Sequence, residues 1–427
     1  MTSTIYDELG ERGFIKQVTD PEPLRELFEK ERVTFYVGID PTADSLHAGH
    51  LVSIMGMAHM QRFGHRPIAI LGGGTAMVGD PSGKTDMRKM LTREQIVENG
   101  KSIKKQLSRY LDFSGDKAIL VDNYDWLGEL NYIEFLRDIG RYFSVNRMLT
   151  YEAYKMRLER GLSFLEFNYQ LLQAFDYLEL FRRYGCKLQM GGDDQWANIL
   201  AGTDLIRRVE GADVYGLTWP LLETSTGAKM GKTEAGALWL DAERTSPYDY
   251  YQYWVNTDDR DIRRFLAIFT LLPLEEIEQV DRLNGAELNA AKTILAYEAT
   301  KLTHGEEEAK KALHSAVATF GDREIPSTML PSSAIPRGQI SSDDHGVPGS
   351  TMDRSKLRGG VGLVELLSSL ELVSSKSEAR RLIQQGGVYV NEKRVQDIET
   401  ILSESDIFDD RLTLRIGKKK HHYIDIH

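Results

Sequence analysis

Val33-Thr-Phe-Tyr-Val-Gly-Ile39, followed at once by Asp40-Pro-Thr42 and then by Ser45-Leu-His47-Ala-Gly-His50, is the stretch from which the rest of the chain can be read. Its first seven residues are uncharged and rich in β-branched and aromatic types, the pattern of a strand buried on both faces. A Pro/Asp/Ser turn follows, and a helix is predicted from about Leu46. Working outward, Pro67-Ile-Ala-Ile-Leu71 ends at Gly72-Gly73-Gly74 and reads as the next strand, with Ala118-Ile-Leu-Val121 and Lys187-Leu-Gln-Met190 as further candidates. Short apolar runs alternating with longer amphipathic ones predict a parallel sheet covered on both faces, with ligands at the carboxyl ends of its strands.

Downstream the texture changes. From about 247 to 319 strand signals vanish, and Asp259-Arg-Asp-Ile-Arg-Arg-Phe-Leu-Ala-Ile-Phe269 and the run from Ala286 to Phe320 carry helical periodicity with charged outer faces. Residues 321–352 collect Pro, Ser, Gly and Asp, including Pro326, Pro331, Pro336 and Pro348, which is the composition of a linker. Beyond it, Ser375-Lys-Ser-Glu378 reads as a capping box opening a helix through Ala379-Arg380-Arg381-Leu382-Ile383 to a Gly386-Gly387 stop. Val388-Tyr-Val390, a turn around Asn391-Glu-Lys393, and Arg411-Leu-Thr-Leu-Arg-Ile416 read as strand, turn and strand. The fold class is therefore α/β: a Rossmann-like parallel-sheet domain over 1–224, a motif-bearing loop and small helical domain over 225–320, a linker over 321–352, and a small α+β domain over 353–427.

The bulk numbers narrow the classes. With 41% hydrophobic and 27% charged residues, the composition is that of a globular protein with a sizeable core. No run approaches the roughly 18 apolar residues of a membrane helix, and the first ten residues lack the basic and apolar regions of a signal peptide. One cysteine, Cys186, excludes an internal disulfide and a cysteine-rich zinc site, and it suits a reducing cytoplasm. The net charge of −11 opposes indiscriminate nucleic-acid binding. Residues 353–427, however, hold 13 Lys+Arg against 12 Asp+Glu, while the remainder holds 40 against 52, so the end stands apart from the body.

His47-Ala-Gly-His50 places two imidazoles at i and i+3, on one face of a first helical turn. Gly49 lets a ligand approach the backbone, and the N–H groups of a helix start attract phosphate. Alone, the pattern equally suits structural histidines; a zinc pair is a third reading, without an HExxH motif or cysteine cluster to support it. Far downstream, Lys229-Met230-Gly231-Lys232-Thr233 sets two lysines around a small flexible centre, either a clamp for polyphosphate or a solvated basic loop. Gly79-Asp-Pro-Ser-Gly83-Lys84-Thr85 imitates a P-loop but has three residues between its glycines where four are required, and Pro81 removes an N–H. Lys84 and Arg88 are nevertheless candidates for ATP phosphates. Phe167-Asn-Tyr169-Gln-Leu-Leu-Gln173-Ala-Phe-Asp176 puts Tyr169, Gln173 and Asp176 on one helix face, a polar stripe in an otherwise apolar helix, and Tyr36 ends the first strand facing the presumed pocket.

Together, the strand, Asp40-Pro-Thr42, His47-Ala-Gly-His50 and, roughly 180 residues on, Lys229-Met-Gly-Lys232-Thr233 resemble the paired signatures of class I aminoacyl-tRNA synthetases, usually written HIGH and KMSKS. Ala48 replaces the commoner Ile or Leu, and Gly231 and Thr233 stand where serines are frequent. The similarity to the bacterial tyrosyl branch spans the chain, including Gly79-Asp80-Pro81, Asn123-Tyr-Asp-Trp126, Gln189-Met-Gly-Gly192-Asp-Asp194-Gln195-Trp196 and Thr245-Ser-Pro-Tyr248; Asp193 stands where Ser is commoner. The resemblance implies that Tyr36 and Asp176 bond a tyrosine phenol and that Asp80, Tyr169, Gln173 and Gln195 hold the amino-acid end. It further implies ATP contacts from Asp40, His47, Gly49, His50, Gly192, Asp194 and Lys229 through Thr233, with Gly192 and Asp194 on the ribose. Catalytic roles fall to Thr42, His47, His50, Lys229 and Lys232, which would stabilise charge on departing pyrophosphate.

The implied substrates are L-tyrosine, ATP with Mg²⁺, and tRNA(Tyr); no protein-bound structural metal is expected, and a homodimer is. Residues from about 353 resemble an RNA-binding module shared with a ribosomal small-subunit protein, with Lys376, Arg380, Arg381, Lys393, Arg394, Lys418, Lys419 and Lys420 as backbone contacts. Two rival readings are a tryptophanyl enzyme of the same fold, disfavoured because indole offers no phenol to Tyr36 and Asp176, and a non-catalytic RNA-binding derivative, disfavoured because no signature histidine or lysine is lost. A P-loop NTPase with an RNA-binding tail fails on the glycine spacing.

Overall fold

The computed structural model describes residues 4–80, 91–151, 154–155, 158, 161–227, 230–233, 236–341, 349–370, 372–391, 393–408, 411–417 and 420–426. They form two compact units, one of residues 1–306 with 327–335, the other of 307–326 with 336–427.

The first unit is built on a six-stranded sheet. Its strands are β1 (Gln17–Val18), β2 (Thr34–Ile39), β3 (Arg66–Leu71), β4 (Ile119–Asp122), β5 (Leu188–Gly192) and β6 (Tyr215–Trp219), in spatial order β1-β6-β5-β2-β3-β4. All neighbours are parallel except the short edge strand β1, which runs antiparallel to β6. The fold class is thus the α/β arrangement that the alternation predicts. From β2 the chain proceeds outward to β3 and β4, then returns to the other side of β2 for β5 and β6. That reversal opens a crevice at the carboxyl ends of β2 and β5, where open α/β sheets bind ligands. Tyr36 lies there beside Ile68 on one side and Gln189 on the other.

Helices cover the sheet. Those that shape the crevice are α1 (Leu51–Arg62), α2 (Arg93–Leu107), α3 (Phe164–Tyr184) and α4 (Trp196–Glu210). In α3 the Ser163 hydroxyl accepts from the Glu166 N–H while the Glu166 carboxylate bonds back to Ser163, a reciprocal cap that fixes where the helix starts. Leu171, Phe175 and Leu178 of α3 pack with Ile68 and Ile70 of β3 and Leu205 of α4 in one apolar cluster, which leaves Tyr169, Gln173 and Asp176 to line the crevice. Further along, α5 (Pro247–Val255), α6 (Ile262–Phe269) and α7 (Ala286–His304) form the helical part of this unit.

One boundary differs from expectation. The helix predicted from about Leu46 begins at Leu51, after a 3-10 turn over Ala48–His50. The reason is tertiary pairing. Leu46 N–H donates to Gln106 of α2 (2.9 Å), Ala48 N–H to the Leu238 carbonyl (2.8 Å), and Leu240 N–H to the Leu46 carbonyl (2.9 Å), so this backbone is engaged before a helix can use it.

The second unit has a core of its own. Its core gathers Leu357, Leu363, Leu366, Ile383, Val388, Leu412, Leu414 and Ile424 beneath a five-stranded sheet that includes Val388–Val390, Arg411–Ile416 and Lys420–Ile426. Ser375 caps the helix Lys376–Gln384 by accepting from the Glu378 N–H, but Glu378 bonds the N–H and hydroxyl of Ser374, one residue earlier than a capping box requires. Within the Pro-rich stretch 321–352, Arg323–Ile325 and Gly338–Ile340 pair antiparallel and Gly349–Met352 joins the five-stranded sheet. Residues 327–335 of that stretch belong to the first unit, where Ser333 and Ala334 bond Glu298 of α7 at 2.7 and 2.9 Å. Residues 342–348 lie outside the described set.

Candidate active site

The crevice holds a cavity of about 440 Å³ lined from both sides of the β2/β5 junction. At its deep end Asp176, 3% exposed, accepts from the Trp126 indole N–H at 2.7 Å and from the Asn123 amide at 2.9 Å, one donor on each oxygen. Burial pushes its pKa up to about 8 against the pull of those two donors. Tyr36, 1% exposed, lies close enough to feel that charge, and burial followed by Asp176 raises its own pKa. Its hydroxyl has no hydrogen-bond partner among the described residues. Buried hydroxyls are normally satisfied, so one left open on a cavity wall marks where a polar ligand group fits.

Nearer the mouth a polar network fixes two more carboxylates. Asp40, at the end of β2, accepts from Tyr169 (3.0 Å) and Thr75 (2.8 Å), and Asn123 donates to the Thr75 hydroxyl (3.0 Å). Asp80 accepts from Gln195 (2.8 Å), whose carbonyl oxygen takes bonds from Gln173 (3.2 Å) and Asn198 (3.1 Å). The structure therefore joins Asp80, Gln195 and Gln173 directly but turns the Tyr169 hydroxyl onto Asp40. Asp194, on the turn after β5, has its pKa raised by burial and then by Asp80. Asp193, the departure from the commoner serine, accepts from Gln17 of β1 (2.6 Å) and Thr218 of β6 (3.0 Å), tying this turn to the sheet edge.

At the other end the two histidines are 4.0 Å apart, ring to ring, and both line the cavity. Here the helix-start expectation needs correction. Gly49 N–H donates to His47 Nδ1 and His47 N–H to His50 Nδ1, each at 3.1 Å, while the Ala48 and His50 N–H groups bond the Leu238 and His47 carbonyls. The backbone donors of this turn are already engaged, so what it offers an anion is imidazole. With each Nδ1 accepting, a neutral ring carries its proton on Nε2. Position 49 favours glycine, since a Cβ would lie 2.8 Å from the His47 ring. Thr42 is exposed at the cavity rim, its N–H on the Asp40 carbonyl.

The second motif meets the first. Gly231 has φ +75°, and a Cβ there would lie 2.9 Å from the Ala48 Cβ and 3.0 Å from the Gly49 nitrogen. The lysine-bearing segment thus packs directly on the histidine turn. Lys232–Thr233 pairs with Gly236–Ala237 as a short hairpin. Lys229, and the candidates Lys84 and Arg88, lie outside the described residues, as do Lys418 and Lys419.

This geometry can be set beside known proteins. The family described as tRNA synthetases class I (W and Y) matches residues 29–321, and the tyrosine–tRNA ligase C-terminal domain matches 339–424. A tyrosine–tRNA ligase of Desulfosudis oleivorans is 56% identical over 426 residues, 99% of this chain and 98% of that one. The chain belongs to the tyrosyl-tRNA synthetase family. A second family member, from Clostridium botulinum (strain Loch Maree / Type A3), is 55% identical over 99% of both chains. Among solved synthetases, a C-terminally truncated mitochondrial tyrosyl-tRNA synthetase of Aspergillus nidulans superposes with a TM-score of 0.65 at 33% identity, covering 73% of this chain and 92% of that one.

For a synthetase of this family, the residues that the sequence reading omitted are those holding the others in place: Thr75, Asn123, Trp126 and Asn198. Asn123 and Trp126 stand in a quoted family stretch without an assigned role, and a buried indole N–H demands a partner. Thr75 and Asn198 carry no periodic signal. In the second unit, Arg394 donates to the Gly386 and Gln385 carbonyls (2.7 and 3.0 Å), closing the end of the helix Lys376–Gln384, and Lys376 pairs with Glu365 at 3.0 Å. Orphan carbonyls at a helix end recruit such a cation, so Arg394 is placed as a cap. Arg380, Arg381 and Lys393 are exposed.

Proposed function

We propose that the cavity performs the chain's tyrosine–tRNA ligase reaction with the substrate phenol between Tyr36 and Asp176 and the ammonium group against Asp80, Gln173, Gln195 and Tyr169. The observation carrying this reading is the buried, unpartnered Tyr36 hydroxyl beside a carboxylate whose two oxygens are already oriented by Trp126 and Asn123. A phenol satisfies both groups. A phenyl ring would leave the Tyr36 hydroxyl unpaired at a cost of about 1–3 kcal/mol.

The tyrosine carboxylate attacks the α-phosphorus of ATP and pyrophosphate leaves, giving tyrosyl-adenylate. No protein nucleophile is needed; positioning and charge stabilisation do the work. Asp194 and Gly192 take the ribose, Asp40 orders the network nearer the mouth, and His47, His50 and Thr42 face the developing phosphate charge. Lys229 and Lys232 neutralise the departing pyrophosphate, with Met230, Gly231 and Thr233 shaping their loop and Lys84 and Arg88 as further phosphate contacts. Mg²⁺ would accompany ATP and offset charge on its phosphates. A ribose hydroxyl at the tRNA 3′ end then attacks the adenylate. Residues 353–427 bind that RNA through Arg380, Arg381, Lys393, Lys418, Lys419 and Lys420, in keeping with their exposure where described.

We also read the protein as a cytoplasmic homodimer. Support comes from exposed apolar side chains gathered in one segment, Tyr132, Ile133, Val145 and Phe164, of which Ile133 and Phe164 are each 70% exposed. Among the described residues no helix is long and apolar enough to cross a membrane. Pyrophosphate exchange into ATP with tyrosine, phenylalanine and tryptophan in parallel tests the assignment. Exchange with tyrosine alone is expected; exchange with tryptophan would overturn the pocket.

A further inference from the structure

We propose that Tyr253 is a positioning residue for the lysine-bearing loop, its hydroxyl holding Met230 and Gly231 against Ala48 and Gly49 so that the two phosphate-handling motifs share one frame. Tyr253 stands on α5, its ring edge-on to Trp254 at 5.3 Å. The hydroxyl accepts from the Gly231 N–H at 3.2 Å and donates to the Met230 sulfur at 3.3 Å. Both bonds fall on the motif itself, between its lysines. Burial raises the phenol pKa further above 10, so the hydroxyl keeps the proton that it gives to the sulfur.

The contact is one link in a continuous series. Gly231 donates its N–H to the Tyr253 hydroxyl and accepts the Leu238 N–H on its carbonyl (2.8 Å), and the Leu238 carbonyl accepts the Ala48 N–H (2.8 Å). The anchor on α5 is thereby joined to the histidine turn through three hydrogen bonds, two of them backbone to backbone. Gly231 has no room to drift toward that turn, since even a Cβ would stand 2.9 Å from Ala48. The incoming leg of the loop is held separately: Ser225 N–H bonds Asp261 (2.8 Å) and Arg264 bonds the Glu223 carbonyl (2.6 Å). Tyr253 therefore controls the motif rather than the loop's attachment.

This inference rests on the phosphate role proposed for that loop, and two readouts separate them. Tyr253→Phe keeps the ring and removes only the hydroxyl. In tyrosine-dependent pyrophosphate exchange, kcat should fall about 3- to 10-fold, the worth of one hydrogen bond, with KM for ATP raised and KM for tyrosine unchanged. Met230→Leu should give a smaller loss, and the double variant should match Tyr253→Phe alone, because both changes break the same unit. Amide exchange in the peptide spanning the motif should quicken in Tyr253→Phe whether or not the chain turns over. Unchanged amide exchange overturns the proposal outright. Quickened amide exchange with unaltered kinetics, equal rises in both KM values, or additive losses in the double variant overturns the catalytic part.

Discussion

Replacing Asp176 by asparagine is the sharpest test of the deep end of the pocket, because the change preserves shape and removes one acceptor. The carboxylate receives Trp126 N–H on one oxygen at 2.7 Å and the Asn123 amide on the other at 2.9 Å. An asparagine can accept on one side only, so its NH₂ must face one of these two donors. Asp176 is 3% exposed, and a buried donor left unpaired costs about 1–3 kcal/mol. The folded chain should lose about that much, read from the urea midpoint at constant m-value. The substrate phenol also loses its bond to the carboxyl, worth about 0.5–1.5 kcal/mol, or roughly 2- to 10-fold in the ratio of kcat/KM for tyrosine over phenylalanine. Exchange kinetics with the two amino acids measure that ratio. Lost selectivity with unchanged stability would deny the two-donor clamp, and lost stability with unchanged selectivity would deny the phenol assignment. An unchanged midpoint and an unchanged ratio would refute the whole argument.

Other outcomes follow from the same geometry. Asp176 has its folded pKa raised to about 8 from an ordinary value near 4, so the folded chain retains a proton that the unfolded chain releases between those values. Its contribution to stability is fully present below pH 4 and declines as pH rises toward 8, so the stability gap between the unaltered chain and Asp176→Asn should narrow over that window in unfolding measured without ligand. Lys232→Ala should lower the exchange rate far more than it weakens tyrosine binding by equilibrium dialysis, and equal losses would count against a phosphate role. Gly231→Ala should lower kcat about 10-fold or more, because the new methyl meets Ala48 at 2.9 Å on a backbone of φ +75°, with binding and exchange assays separating site distortion from unfolding. Arg394→Ala should destabilise the second unit by about 1 kcal/mol through loss of its helix cap, whereas a double Arg380→Ala, Arg381→Ala change should lower tRNA charging with little effect on stability, as melting and charging assays run together would show.

How much was legible depended on whether a feature had a period. Strands β2 and β3 are largely buried and read as mainly apolar runs, and the stripe Tyr169, Gln173, Asp176 repeats at helical spacing on α3. Strand β1, two residues on a sheet edge, offers no pattern to detect. The helix start was misplaced by tertiary pairing that no local window contains, since Gln106 and residues 238–240 claim the backbone of 46–48. The supporting residues were hidden for a similar reason. Thr75 and Asn198 look like any polar residue in a loop or on a helix, and only the fold brings Thr75 between Asp40 and Asn123, or Asn198 onto Gln195 and Gln173.

The two departures from the commoner signature letters make the same point from the other side. Read along the chain, Ala48 and Gly231 are separate substitutions that keep small residues where no side-chain chemistry is needed. In the structure they are one contact. Residue 231 adopts a left-handed backbone that disfavours side chains, and the space in front of it is filled by the Ala48 Cβ and the Gly49 nitrogen. A serine at 231 would meet Ala48, and a larger residue at 48 would press on the loop carrying Lys232. The pairing of small with small sets how closely the imidazoles and the lysine loop approach, which is the dimension that matters for two groups meant to share one polyphosphate. Restoring a serine at 231 should therefore disturb the site more than restoring its chemistry helps it, and kcat should fall for the same steric reason as in Gly231→Ala. Full activity in both variants would show that the loop yields to the added atoms, and that the close packing of the two motifs is incidental to catalysis.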